Sequence, residues 1–321
     1  ILFPSLSHLT TFIALAFLVS FTFINSFGVK NGSFVQQLTS IIKVIFFVIF
    51  IVACFSYSGV KFNPIENKPF LLETSVFIAF FKSLQMVLGT YDGWNAGCFF
   101  AEEDANPSKN IPKSLYTGAF IVIFIYTVIN VAFFYVLPVS ELANSPLAAS
   151  DVAKVVFGEN GAVIVTVIAV FSMISILNAF TMIPARILFG LSRAGFFINK
   201  GTLINKGGTP IVALLISASF TFILIVIGSF EILFSLATFM SVIVWGLAYA
   251  SLIKLRISEP NLPRPYKSWG YPYTTFIMLV FSVVLFLGFA YSDQHSLMVI
   301  GIVTLLSYPL FLVINRNKNQ P

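Results

Sequence analysis

The sequence predicts an all-α polytopic membrane protein, and three observations predict it. Hydrophobic residues make up 58% of the 321 residues and charged residues only 9%, against roughly 25% charged in soluble domains. Apolar runs of about 20 residues, long enough to cross a bilayer as helix, recur from one end to the other. Basic residues concentrate in alternate loops, as they do when successive spans cross in opposite directions. The formal charge of +6 therefore reports topology, and no nucleic-acid partner is expected. The surroundings this composition calls for are membrane lipid.

Apolar windows place spans at Leu9 to Phe27, Phe34 to Tyr57, Glu73 to Glu103, Ser114 to Leu137, Ala162 to Phe189, Pro210 to Ile227, Glu231 to Ile253, Tyr273 to Tyr291 and Ser296 to Ile314. Nine spans put the termini on opposite faces. One set of loops carries Lys30, Lys109, Lys113, Arg186, Arg193, Lys200, Lys206, Lys254, Arg256, Arg264, Lys267, Arg316 and Lys318; the other carries Lys61, Lys68 and Lys154. That asymmetry predicts a cytoplasmic C-terminus and an external Ile1 at the cell membrane. No initiator Met and no basic region precede the first apolar run, so the start does not resemble a signal peptide. An N-terminally incomplete chain is expected, and three further spans would return the N-terminus to the cytoplasm.

The loops carry their own punctuation. Asn106-Pro107 and Ile111-Pro112 are expected to stop one helix and start the next. Pro138 to Gly161 reads as an outer loop holding a short amphipathic helix, and Ser258 to Pro272 as a proline-rich cytoplasmic linker. No soluble domain is predicted, so residues 1–321 form a single transmembrane domain. Cys54 and Cys98 lie in apolar segments without disulfide or metal spacing, and His8 and His295 sit close to span ends. No metal and no cofactor are expected. Neither a Ser/His/Asp set, an HExxH, a Walker loop nor a carboxylate dyad inside a span is present, which disfavours an enzyme.

The third span is broken. Phe77 to Pro112, FIAFFKSLQMVLGTYDGWNAGCFFAEEDANPSKNIP, begins as an apolar helix, stops at Gly89-Thr90-Tyr91-Asp92-Gly93, and resumes as a short apolar piece ending on Glu102-Glu103-Asp104. Backbone groups freed by such a break cost several kcal/mol each in hydrocarbon, so a break is tolerated only inside protein or along a cavity. The carbonyls that end the first half, about Leu88 to Tyr91, attract a cation or ammonium. The N–H groups that open the second half, about Gly93 to Asn95, attract an anion. The pair suits a small polar or zwitterionic solute, and the alternative is a glycine-kinked helix with structural meaning only.

Other polar residues in spans carry paired readings. Asp92 serves as the N-cap of the second half-helix or faces the solute. Ser172, Ser175 and Asn178, at i, i+3 and i+6, make one polar helical stripe that suits a cavity, which adds Ser175 and Asn178 to the substrate-binding candidates; helix-to-helix hydrogen bonding is the alternative. Lys43 lies about 13 Å into its helix, where an ionisable group marks an ion pathway, replaces a bound cation, or snorkels to the cytoplasmic face. Lys82 fits a vestibule or an interface. Glu102, Glu103, Arg186 and Arg193 lie near cytoplasmic helix ends, either as ion pairs closing an inner gate or as solvated charges.

Tyr91 to Leu115, YDGWNAGCFFAEEDANPSKNIPKSL, resembles the YDGWN, EE and NPxxNIP signature of the amino acid/polyamine/organocation superfamily, above all its L-type amino acid transporter branch and bacterial relatives. Further matches fall in order: Gly28-Val29-Lys30 with Gln36 and Lys43, Phe171-Ser172 with Asn178 and Arg186, Leu191-Ser192-Arg193-Ala194-Gly195, and Arg264-Pro265-Tyr266 with Trp269-Gly270-Tyr271-Pro272. The resemblance covers essentially all 321 residues. It implies a twelve-span leucine-transporter-type fold with two inverted five-span repeats, of which this chain holds spans four to twelve and lacks the first three helices.

The resemblance also implies an amino acid substrate. Its carboxylate is held by a glycine-rich turn in the first helix, and its amino group by carbonyls of the sixth. Here only the sixth-helix half is present, at Gly89, Thr90, Tyr91, Asp92, Gly93, Trp94 and Asn95, so the chain alone is not expected to complete the site. Lys43 takes the place of sodium in related sodium-coupled carriers, and Glu102 and Glu103 sit at the inner end of the sixth helix. Gly89 departs from the bulky aromatic gate residue of several L-type members. The short start before Leu9 shows no cysteine of the kind that links animal members to a glycoprotein subunit, so a bacterial-type protein without that subunit is expected. The implied activity is secondary active transport of amino acids by alternating access, as permease or exchanger, coupled to protons or a counter-transported amino acid. A non-transporting membrane sensor or binding protein and an inactive truncated remnant are the alternatives.

Overall fold

A computed structural model describes residues 8–59 and 74–316. Glu73, Lys61, Lys68 and Lys318 lie outside the described residues, as do the side chains of Lys30, Gln36, Glu103 and Arg316. Among the described residues the chain is helical, with one isolated β-bridge from Ile204 to Pro210. Five helical segments among the described residues are long and apolar enough to cross a membrane: Gln37–Ser56, Pro107–Val136, Gly161–Arg193, Phe230–Ser258 and Tyr273–Ser292. Two shorter helices, Thr10–Ser26 and Ile211–Ile227, are also apolar. The chain is an all-α, multi-pass membrane protein.

The chain divides into two compact units. The first comprises residues 1–68 and 116–226 and holds α1 (Thr10–Ser26), α2 (Val29–Ser56), most of α4 (Pro107–Val136), α5 (Val139–Asn144), α6 (Ala148–Phe157), α7 (Gly161–Arg193) and nearly all of α8 (Ile211–Ile227). α7 is its axis, with α1, α2, α6 and the 3₁₀ turn Asn199–Thr202 packed on it. Phe50, Cys54, Ala132, Val136, Val152, Ala153 and Val165 make the core, and Phe50 stacks on Phe157 at 5.9 Å between ring centroids. In lipid no hydrophobic force drives these helices together, so close packing and interhelical hydrogen bonds must hold them.

The second unit comprises residues 69–115 and 227–321, with α3 (Thr74–Tyr91), the 3₁₀ helix Ala96–Glu103, α9 (Phe230–Ser258), α10 (Tyr273–Ser292) and α11 (Gln294–Arg316). α9 packs against α3, α10 and α11 around Phe81, Phe239, Val242, Leu285, Phe289 and Ile300. The Phe239 ring meets Phe289 edge-on at 6.0 Å and Phe81 meets Phe289 at 6.4 Å. The proline-rich linker closes the end of α9: the Arg264 guanidinium donates to the carbonyls of Leu255, Glu259, Pro260 and Leu262 at 2.6–3.3 Å. It thereby ties the linker carbonyls that follow α9 back to the last helical turn at Leu255.

Three boundaries differ from the expectation. Ile111-Pro112 does not start a helix, because α4 already begins at Pro107 and runs through Pro112. Pro107 occupies the first helical position, where a missing N–H costs nothing. α2 begins at Val29 rather than Phe34, and the expected outer loop holds two short helices, α5 and α6, rather than one.

Candidate functional site

α3 ends at Tyr91 after 18 residues, as the Gly89 to Gly93 break requires. Helical i→i+4 bonding gives way to i→i+3 bonds, from Asp92 N–H to the Gly89 carbonyl at 3.4 Å, Ala96 to Gly93 at 3.0 Å and Cys98 to Asn95 at 2.9 Å. The chain turns at Gly93, whose φ of +94° is left-handed. It then resumes as the 3₁₀ helix Ala96–Glu103. Gly93→Ala adds a methyl into open space, so its effect is conformational strain of about 1–3 kcal/mol. A melting temperature lowered by several degrees is expected, read by thermal unfolding of the detergent-purified protein.

Asp92 is not the N-cap of the resumed helix. That position belongs to Asn95, whose side chain makes no capping bond. The Asp92 carboxylate instead accepts the N–H of Gly93 at 2.8 Å and the hydroxyl of Ser241 on α9 at 3.3 Å. It therefore satisfies one freed backbone donor while tying the break to α9. The indole of Trp94, half-exposed, lies 6.1 Å from that of Trp245 on α9. Thr90 turns its hydroxyl back to the Val87 carbonyl at 2.7 Å.

At Gly89 α3 lies close against α9. A Cβ there would stand 2.2 Å from Cζ of Phe234 and 2.8 Å from Oγ1 of Thr238. The space that a larger residue on α3 would fill is taken by an aromatic ring from α9. Sequence reasoning had no signal for that partner, since Phe234 is one of 38 phenylalanines.

Ser175 and Asn178 lie in the other unit and are both buried. The Ser175 hydroxyl meets the Thr39 hydroxyl of α2 at 2.8 Å, and Asn178 Oδ1 accepts from Asn25 Nδ2 of α1 at 3.0 Å. In this unit the polar stripe of α7 is used for interhelical hydrogen bonds. Lys43 is half-buried one turn beyond Thr39, and Thr39, Lys43, Phe46 and Phe50 follow i, i+4, i+7 and i+11 along the face of α2 that packs on α7. Among the described residues no ion pair to Lys43 occurs. Arg193 ends α7 with its guanidinium carbon 5.6 Å from the Phe189 ring, and Glu102 is exposed in the 3₁₀ helix of the second unit.

One cluster was missed. Gln85, buried in α3 one turn before Gly89, donates from Nε2 to the Ser235 carbonyl at 3.1 Å and to its hydroxyl at 2.7 Å. The Ser235 hydroxyl donates to Asp293 Oδ2, and Ser296 Oγ stands 3.0 Å from it. Burial alone raises the Asp293 carboxyl. The hydrogen bonds from the Ser235 and Ser296 hydroxyls, the Ser296 N–H and the Gln85 amide outweigh that effect and hold it below its ordinary value of 3.8. A folded value below the unfolded one means that stability from this group is present above the ordinary value. That stability is lost as pH falls through the folded value. Across the neutral range Asp293 is an ionised acceptor. A Gln inside FIAFFKSLQMVLG and the D-x-x-S start of α11 were visible signals, but only the fold joins them.

These features define the class: a multi-pass, all-α membrane protein with a helix interrupted inside its apolar stretch. The chain belongs to the amino acid permease family, whose model matches residues 1–313. It is similar to the b(0,+)-type amino acid transporter 1 of Mus musculus, 28% identical over 269 residues, covering 79% of this chain and 52% of that protein. It is also similar to the large neutral amino acids transporter small subunit 2 of Homo sapiens, 29% identical over 212 residues, or 64% of this chain and 37% of that protein. The Asc-type amino acid transporter 1 of Mus musculus is 26% identical over 226 residues, covering 70% and 42%. The chain spans about half or less of the length of these curated relatives.

Proposed function

We propose that the protein of which this chain is part moves amino acids across the cell membrane by alternating access around the Gly89 to Gly93 break. The observation that carries the reading is that break: an α-helix ends inside an apolar stretch and a second helical piece starts five residues on. Carbonyl ends and N–H ends then lie within one turn of each other, which suits the ammonium and carboxylate of a zwitterion. The solute-facing set in this reading is Gly89, Thr90, Tyr91, Asp92, Gly93, Trp94 and Asn95. Ser175 and Asn178 serve as helix ties, Lys43 couples flux to protons or to a fixed charge, and Glu102, Glu103 and Arg193 act at an inner gate. Nine crossings with the C-terminus in the cytoplasm follow from the basic-residue asymmetry.

The test is uptake and exchange of a labelled amino acid panel by the purified full-length protein in proteoliposomes. Saturable uptake, accelerated by an internal amino acid or by a proton gradient, is expected. One relative is named as a small subunit, so the protein is assayed alone first; uptake by it alone supports action without an ancillary subunit. Absence of flux for every amino acid, with retained binding, would favour a sensor or binding protein.

A further inference from the structure

Three contacts lie along one face of α3, and they form a register. Gln85 meets Ser235, Gly89 meets Phe234 and Thr238, and Asp92 meets Ser241. The spacing is i, i+4, i+7 along α3 and the turn that follows it, and close to i, i+3, i+6 on α9, so the two helices run in the same direction with one stripe against the other. Packing at Gly89 excludes a side chain but fixes no axial position by itself, because a ring can rotate. The Asp92 contact is long and exposed. The buried end of the register is the Gln85 amide.

We propose that Asp293 is a positioning residue for the break, acting through Ser235 and Gln85 to hold α3 in register with α9. This rests on the reading of the break as a solute site. The donor accounting leaves little freedom. A carbonyl only accepts, so Gln85 must face Ser235 with its nitrogen, and Nε2 reaches both the carbonyl and the hydroxyl of that residue. A carboxylate also only accepts, so the single Ser235 proton goes to Asp293. The Ser235 oxygen in turn accepts a proton from Gln85, with Ser296 Oγ 3.0 Å away. The carboxylate decides which way the Ser235 proton points.

Asp293 is itself anchored. It is the one residue between α10 and α11: its N–H donates to the Phe289 carbonyl at 2.7 Å, its carbonyl accepts from Leu297 at 3.1 Å, and Oδ1 accepts the Ser296 N–H at 3.1 Å. That is an N-cap on α11, where a negative charge is also favoured by the helix dipole. A carboxylate fixed by two helix ends thus orients a hydroxyl on a third helix, which fixes an amide on the fourth. Four residues beyond that amide the helix breaks.

Capping and positioning are separable by experiment. Ser235→Ala cuts the relay and leaves the Asp293 cap on Ser296 in place; Ser235→Thr restores the hydroxyl; Asp293→Asn weakens both. In the full-length protein Ser235→Ala and Asp293→Asn are expected to raise the KM for the amino acid about tenfold, the scale of one charge-assisted hydrogen bond. Vmax should change much less, and Ser235→Thr should recover most of the loss. Hydrogen exchange at residues 86–95 should rise in both weakened variants, while residues 278–289 of α10 stay protected. If Ser235→Ala leaves both KM and exchange at 86–95 unchanged while Asp293→Asn only lowers the melting temperature, Asp293 is a cap and the positioning role is wrong. If the wild-type protein transports nothing, the solute-site reading fails on its own, and the exchange data still decide whether Asp293 holds α3.

Discussion

Gly89→Ala is expected to lower both thermal stability and amino acid uptake, and Phe234→Ala in the same chain is expected to return part of each. The methyl group would be placed 2.2 Å from the Phe234 ring and 2.8 Å from a buried Thr238 hydroxyl that already donates to the Phe234 carbonyl. The ring must move, and it is stacked on Phe230 at 5.5 Å. Overpacking of that kind costs about 1–3 kcal/mol, and a larger residue such as Phe at position 89 costs more. Because the closest clash is with the Phe234 ring, the double variant should show a coupling of at least about 1 kcal/mol in a mutant cycle, within the range for residues in contact. Thermal unfolding supplies the stability arm and uptake the functional arm. Simple additivity of Gly89→Ala and Phe234→Ala would mean that the ring does not confine this position.

The difference between what the sequence disclosed and what it withheld follows the reach of each interaction. The break at Gly89 to Gly93 was legible because a DG pair inside an apolar run violates the rule for a continuous span, and that violation is local. Helix positions were legible for the same reason, from the length of each apolar window. The start of α4 was misread because Pro112 looks like a boundary until Pro107 is seen to have started the helix already. The partners of the break were not legible. Phe234, Ser235 and Ser241 lie about 150 residues from α3 in sequence, and nothing in their own surroundings distinguishes them from other residues of an apolar helix. The stripe of Ser175 and Asn178 shows the same limit, since periodicity found the face and only the fold supplied Thr39 and Asn25.

Lys43 carries the remaining large effect. α2 starts at Val29 and its membrane-crossing stretch at Gln37, so Lys43 stands about 9 Å into that stretch. It shares a stripe with Thr39, which is tied to Ser175 on α7, and with Phe50, which is fully buried in the core. Lys43 lies on the stripe of α2 that carries these contacts and is half-buried. Holding an ammonium at that depth costs a few kcal/mol unless it is hydrated or paired, and such groups mark ion pathways. Lys43→Met keeps the stem volume and removes the charge. Flux in proteoliposomes is expected to fall at least ~10-fold, a barrier change of about 1.4 kcal/mol, and the residual flux should lose its dependence on a pH gradient. Stability should hold or rise, because an unpaired charge has been taken out of an apolar environment. Lys43→Arg, which keeps a charge that does not deprotonate, separates the two forms of coupling: retained flux without a pH response means that the fixed charge suffices, and lost flux means that the proton itself is needed. Wild-type flux and wild-type pH response in Lys43→Met would remove the coupling role and leave Lys43 as a solvated residue of the packing face.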